Sequence, residues 1–305
     1  MIRLVKAELF KLSKNRTFKI LSIIAIFLSI LIFIMTTSVF DKLVEESINQ
    51  ISKEQAEQML NLGTNTENQV VIPGNMGMHI NAKDIFNPTV SEVFHSSFGS
   101  GVTEILIGIL IAAFLAKEYS ERTIKNVLAY GKSRTEFYLA KFIAIIIAII
   151  ILLACLVLIS TIGSGIINGW GETFKVSQLL HLIRTFFLAV ISNASVAAIL
   201  MIIAILIKSN GGTIGITVGI FVFLPSIISF LYGSNKVFDK IYEITPFYNN
   251  QLAISIYASN GQLIKSLIIS VITIIVALFI GIELFKKQDI RCNFCFLKKC
   301  DIINP

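Results

Sequence analysis

The sequence predicts an all-α polytopic membrane protein: six transmembrane helices, an N-terminal interfacial elbow helix, and a large extracytoplasmic loop between spans 1 and 2. Its 305 residues are 55% hydrophobic and 15% charged, with a mean hydropathy of +0.80, a balance that belongs to integral membrane proteins. Six apolar runs have the roughly 20 residues that cross a hydrocarbon core of about 30 Å: Ile20–Val39, Phe98–Ala116, Phe142–Ile162, Phe186–Ile207, Thr213–Tyr232 and Leu267–Phe285. None alternates polar with apolar residues, as a barrel strand would. A helix bonds its own backbone within lipid, so helices are favoured.

Charge placement orients the spans. Arg3, Lys6, Lys11, Lys14, Arg16 and Lys19 precede the first run, and Lys117, Arg122, Lys125, Lys132, Arg134 and Lys141 lie between the second and third. Lys208 follows the fourth, and Lys286, Lys287, Arg291, Lys298 and Lys299 follow the sixth. Putting all of these on one side places most of the 26 basic residues in the cytoplasm. Both termini are then cytoplasmic. The net charge of +7 is an orientation signal, and no basic face with interleaved aromatics supports nucleic-acid binding.

The N-terminal stretch has Ile2, Val5, Leu9 and Leu12 at helical spacing among basic residues, the pattern of a helix lying in the interface; a basic leader serving topology alone is the alternative. The first run is read as an uncleaved helix, because no A-x-A site follows Thr36-Thr37-Ser38. The loop 40–97 carries Asp41, Glu45, Glu46, Glu54, Glu57, Glu67, Asp84 and Glu92 against Lys42, Lys53 and Lys83. It is either an external gate or a solvated spacer.

Within the spans, Glu104 is an ionisable group whose cost at mid-membrane is about 2.5–3.5 kcal/mol. A snorkelling or helix-paired carboxylate is expected in preference to a proton or cation site. Gly108, Ala112 and Ala116 recur every four residues, as do Gly211, Gly215 and Gly219 ahead of Pro225. Such small-residue stripes let helices approach closely, within the subunit or between two copies, and Pro225 is expected to kink its helix. Trp170 reads as an interfacial anchor, and Asn193 as a helix-to-helix hydrogen bond. Residues 233–262, with Tyr242, Pro246, Phe247, Tyr248 and Tyr257, form an outer loop able to dip back as short helices.

Catalytic signatures are missing. Gly131-Lys132-Ser133 resembles the end of a phosphate-binding loop, but the pattern requires Gly at 126 and the chain has Asn126. His79, His95 and His181 stand at no ligand spacing. Cys292, Cys295 and Cys300 lack a fourth ligand nearby, so interfacial thiols are preferred to a metal site. The chain is not expected to be an enzyme or to hold a metal.

The loop between the second and third runs carries a resemblance. Lys117-Glu118-Tyr119, Thr123-Ile124-Lys125-Asn126, Gly131-Lys132-Ser133-Arg134 and Tyr138-Leu139-Ala140-Lys141 resemble the first cytoplasmic loop of ATP-binding-cassette (ABC) type-2 permeases, the membrane subunits of bacterial exporters of lantibiotics, bacitracin-like antibiotics and other amphiphiles. The likeness extends to the six-span layout, the elbow helix and Pro246 before the last span. It departs at Arg122, where such permeases often have Gly. The resemblance implies one permease domain over 1–305: elbow 1–19, spans 20–39, 98–116, 142–162, 186–207, 213–232 and 267–285, external loop 40–97, coupling loop 117–141 and tail 286–305.

It further implies that Glu118, Glu121, Thr123, Ile124, Asn126, Val127 and Leu128 contact a separate cytoplasmic ATPase subunit, which binds ATP and Mg. The resemblance also implies a homodimer, or a pairing with a similar permease, in the plasma membrane; Gly108, Ala112, Gly211, Gly215, Gly219 and Pro225 are the helix-packing residues read from spacing, whether within the subunit or at that interface. No cofactor is expected in this chain. An ion-coupled secondary transporter and a non-transporting membrane receptor or scaffold are the other classes. Both would leave the loop a charged interfacial hairpin.

Overall fold

The computed structural model describes residues 1–36, 70–71, 88–121, 123–124, 133–167 and 176–288. Trp170, Asn126, Val127, Leu128 and the three tail cysteines lie outside the described residues, as does nearly all of the first external loop.

Helix α1 (Ile2–Lys14) ends at Asn15, whose extended backbone breaks the chain direction. The Asn15 side chain then caps α2 (Arg16–Ile34) by accepting from the Thr17 and Phe18 backbone N–H groups, satisfying two of its orphan donors. One residue thus ends one helix and starts the next. After the first external loop, Thr89 and Glu92 close a reciprocal capping box on the seven-residue α3 (Val90–Ser96).

The second apolar run begins as α4 (Val102–Ile111), changes to a π-helical segment over Ala112–Ala116 and finishes as α5 (Lys117–Ser120). Beyond the loop, α6 (Arg134–Ile167) starts after Ser133, whose Oγ accepts from the Glu136 N–H. Helix α7 (Val176–Ile207) returns, and α8 (Asn210–Leu231) follows after Lys208 and Ser209, with Ser209 as its cap. Lys208 takes a left-handed backbone there, φ 55°, which allows so short a reversal.

Two short helices, α9 (Lys236–Ile244) and α10 (Pro246–Ile254), separate α8 from α11 (Asn260–Lys287). Pro246 occupies the first turn of α10, where its missing N–H costs nothing. The outer loop therefore does form short helices, and α10 packs against both α7 and α11.

Among the described residues five helices are long and apolar enough to cross a membrane: α2, α6, α7, α8 and α11. The run Phe98–Ala116 does not join them as one uninterrupted α-helix, because the π segment divides it. Helix α7 is the centre of the bundle. It packs on α4, α6, α10 and α11, and small residues Ala189, Ala194, Ala197, Ala198 and Ala204 are all but fully buried along it, letting neighbours come close.

The outer helices are the reverse. Only 17% of the most apolar window of α8 or of α11 is buried, and Phe223, Phe230, Ile272, Ile275 and Phe279 stand at least half exposed. So much contiguous apolar surface is incompatible with water and fits a lipid solvent. The chain is a multi-pass membrane protein.

The small-residue stripes divide. A Cβ at Gly108 would collide with Thr217 of α8, so Gly108 is where α4 and α8 touch. Among the described residues, Gly211, Gly215 and Gly219 have no atom of another helix within 4 Å of an added Cβ. Ala112 is buried but lies in the π segment, whose wider turn breaks the four-residue register expected from Gly108 to Ala116. Pro225 sits inside α8; lacking an N–H, it leaves the Phe221 carbonyl without its helical donor.

A buried charge knot as candidate functional site

The fully buried Lys141 ammonium is the centre of the site. It lies 2.6 Å from Glu8 Oε2 and 2.8 Å from Glu118 Oε1. It also donates to the Phe114 carbonyl at 3.0 Å and sits 3.8 Å above the Phe114 ring. Lys11 closes the figure, 2.7 Å from Glu8 Oε1 and 3.2 Å from Glu118 Oε1. Two carboxylates and two ammonium groups balance, as buried charges must if they are to stay ionised.

Each member comes from a different piece of chain. Glu8 and Lys11 are one turn apart on α1, Phe114 lies in the π segment, Glu118 opens α5, and Lys141 is two turns into α6. The π segment matters because its i→i+5 pattern disturbs the usual carbonyl pairing, and Lys141 takes the carbonyl at Phe114. The knot therefore ties the N-terminal helix to both ends of the 117–141 loop. Lys11 is raised above its usual pKa: burial pulls it down, but the hydrogen bond to Glu8 and the field of Glu118 outweigh that.

A second tie secures the same end of the bundle. Arg134 donates to the carbonyls of Phe285, Lys286 and Gln288 at 3.2, 2.7 and 2.7 Å. It places a cation on the carbonyl end of α11, where orphan acceptors and the helix dipole both favour one. Gln288 in turn donates to the Ile205 carbonyl at 3.0 Å, and Phe137 stacks on Phe285 at 5.7 Å. The last turns of α7 and α11 are thereby held to the first turns of α6.

Of the residues that the resemblance assigns to ATPase contact, Glu118 turns inward, its side chain 16% exposed. Ile124 is 2% exposed and belongs to the hydrophobic core. Glu121 and Thr123 are exposed, and Glu121 makes only a 3.6 Å surface pair with Lys117, an interaction worth little. Sequence reasoning missed Glu8. The apolar stripe suggested Ile2, Val5, Leu9 and Leu12 as the covered face, yet α1 buries Leu4, Glu8 and Leu12, and Ile2 is 76% exposed. An acidic residue one turn before Lys11 on a basic helix was the available signal.

At the opposite end of the bundle, Glu104 is paired, as the expectation of a helix-bound carboxylate required. Its Oε1 accepts from Asn250 Nδ2 at 2.7 Å, and Asn250 reaches Asn193 Oδ1 at 3.5 Å. His95 and His181 approach to 5.6 Å between ring centres, a proximity their distant sequence positions concealed. Among the described residues no group of three or more metal-ligating side chains occurs.

No curated protein matches the chain. A family profile described as "Protein of unknown function (DUF2705)" matches residues 89–291, a span that takes in Glu118, Lys141 and Arg134 while leaving Glu8 and Lys11 outside. The match covers most of the chain, which belongs to the DUF2705 family.

Proposed function

We propose that the chain is the membrane-spanning permease subunit of an ABC-type exporter, moving an amphiphilic substrate along a path powered by a separate cytoplasmic ATPase. In this reading α4, the π segment and α5 together make the sixth crossing, and α1 is the elbow. Both termini and the 117–141 loop face the cytoplasm of a plasma membrane. Two copies, or this chain and a similar permease, would form the path.

The observation that carries the reading is Lys141. Its ammonium joins α1, the π segment and both ends of the loop, so a push on the loop cannot move α5 without moving α1 and α6. A motor that displaces the loop would bias two packings of the same bundle, the requirement for an energy-driven permease. Glu121 and Thr123 are the exposed positions offered to the motor. Glu118 would transmit the motion from inside.

The test is to look for a P-loop ATPase in the neighbouring reading frames and to co-reconstitute it with this chain. The expected result is ATP hydrolysis stimulated by the permease and ATP-dependent movement of a fluorescent amphiphile across the vesicle membrane. Movement driven by a sodium or proton gradient without ATP would replace this reading with an ion-coupled transporter, for which the buried Glu104 would be the natural coupling group.

A further inference from the structure

The two faces of α1 differ in charge. Inward, Leu4, Glu8 and Leu12 are buried, and the helix packs on α6. Outward, Ile2, Arg3, Lys6, Phe10 and Lys14 are exposed, gathered on the opposite face by three- and four-residue spacing. Glu8 is the one acidic residue of the helix, and the knot withdraws it from the surface entirely. The outward face is left with cations only.

Those cations are unpaired. The terminal ammonium reaches Glu136 at 3.7 Å, but among the described residues no carboxylate pairs with Arg3, Lys6 or Lys14. Lys14 Nζ lies 5.7 Å from the centre of the Phe10 ring, a contact that does not neutralise it. Ile2 and Phe10 stand 76% and 65% exposed among these charges. Apolar bodies flanked by long basic side chains suit the boundary between headgroups and acyl chains.

The next helix fixes what lies beside this face. Only Asn15 separates α1 from α2. Exposed Arg16 and Lys19 open α2, and Ile20, Ile23 and Phe27 follow, each more than half exposed, on a helix apolar enough to cross a membrane. The change from exposed charge to exposed hydrocarbon marks the depth of the headgroups, and α1 joins α2 at that depth. Its outward face therefore continues the lipid-facing wall of α2.

We infer that the outward face of α1 is a binding surface for anionic phospholipid, with Phe10 seated at the acyl boundary and Arg3, Lys6 and Lys14 on the headgroup phosphates. Charge selects the lipid. Phosphatidylcholine carries its own ammonium and has no net charge to offer unpaired cations, whereas phosphatidylglycerol is a net anion. The lipid contact and the Lys141 contact then share one helix, the first on its outer face and the second on its inner face.

The inference takes from the proposed function only an α1 that lies in the interface, and its test uses neither nucleotide nor motor. Phe10→Trp in a Trp170→Phe background makes residue 10 the only indole of the chain. The full chain is reconstituted in vesicles of phosphatidylcholine and phosphatidylglycerol in equal parts, with bromine on the acyl chains of one lipid or of the other. At equal bromine content, brominated phosphatidylglycerol should quench residue 10 more strongly than brominated phosphatidylcholine. Each single substitution of Arg3, Lys6 or Lys14 by Gln should cut that preference by up to about fivefold, the surface worth of one basic residue. The triple substitution should abolish it. Raised salt should abolish it as well, and does so without altering the chain.

Equal quenching by the two lipids overturns the inference, as does a preference that survives either the triple substitution or salt. Quenching by neither lipid, with the indole open to aqueous acrylamide, overturns it too and assigns the face to water or to an acidic protein partner. If the preference is found and ATP-driven transport fails, the lipid surface stands and the exporter reading falls.

Discussion

Lys141 Nζ and Glu8 Oε2 lie 2.6 Å apart, with neither side chain exposed. This contact joins the first helix of the chain to the start of α6, and the loop between α5 and α6 hangs from the same ammonium through Glu118. Its energetics are asymmetric: the pair as a whole adds little net stability, but stranding one member is severe.

Lys141→Met should therefore destabilise the protein by about 3–5 kcal/mol, because Glu8 and Glu118 are left against a single Lys11. Glu8→Leu combined with Lys141→Met removes one charge of each sign, leaves the Lys11–Glu118 pair neutral, and should recover most of that loss. Thermal unfolding of both variants in detergent is the measurement. A double variant no more stable than Lys141→Met would show that the knot's geometry, not its charge balance, holds α1 to α6.

Glu118→Gln separates coupling from folding. Glu118 is partly exposed and Lys141 retains Glu8, so the stability cost should be smaller than for Lys141→Met, about 1–2 kcal/mol. Under the proposed function, this variant hydrolyses ATP with its motor while moving little substrate. Hydrolysis and transport that fall together would mean that Glu118 serves assembly rather than transmission.

The apolar runs made the bundle legible in advance, since lipid exposure tolerates an unbroken hydrophobic segment whatever its partners. The knot was legible only in its loop half. Glu118 and Lys141 stood out as charges at the ends of a loop, whereas Glu8 looked like one more polar residue on an interfacial helix. What identifies it is a contact with a residue far along the chain, and no periodicity carries that. Nor does periodicity announce the π segment, whose Ala-Ala-Phe-Leu-Ala sequence is as good an α-helix as its neighbours. Glu104 was conspicuous, but its partner Asn250 arrives on a short helix that folds back between α7 and α11.

His95 provides a pH test outside the spans. Its Nδ1–H donates to the Ile254 carbonyl at 2.7 Å, and burial lowers its pKa from 6.5 to about 4 despite that bond. A depressed histidine favours the fold while neutral. Its contribution is complete above pH 6.5 and is lost as pH falls toward about 4, because the unfolded chain takes the proton first. The loss should be roughly 3 kcal/mol. His95→Asn keeps an N–H donor for Ile254 without titrating there, so its unfolding temperature should fall less between those two pH values than the wild type's.

The glycines offer a test that distinguishes two kinds of close approach. Gly108→Val drives a side chain into Thr217 across the α4–α8 contact and should cost about 1–3 kcal/mol through overpacking. Gly215→Val meets open space among the described residues, so the isolated subunit should unfold at an unchanged temperature. If the stripe of Gly211, Gly215 and Gly219 is where two copies meet, as GxxxG-type faces allow, Gly215→Val should instead shift the protein from dimer to monomer by light scattering in detergent. A variant unchanged in both stability and oligomeric state would assign that face of α8 to lipid alone.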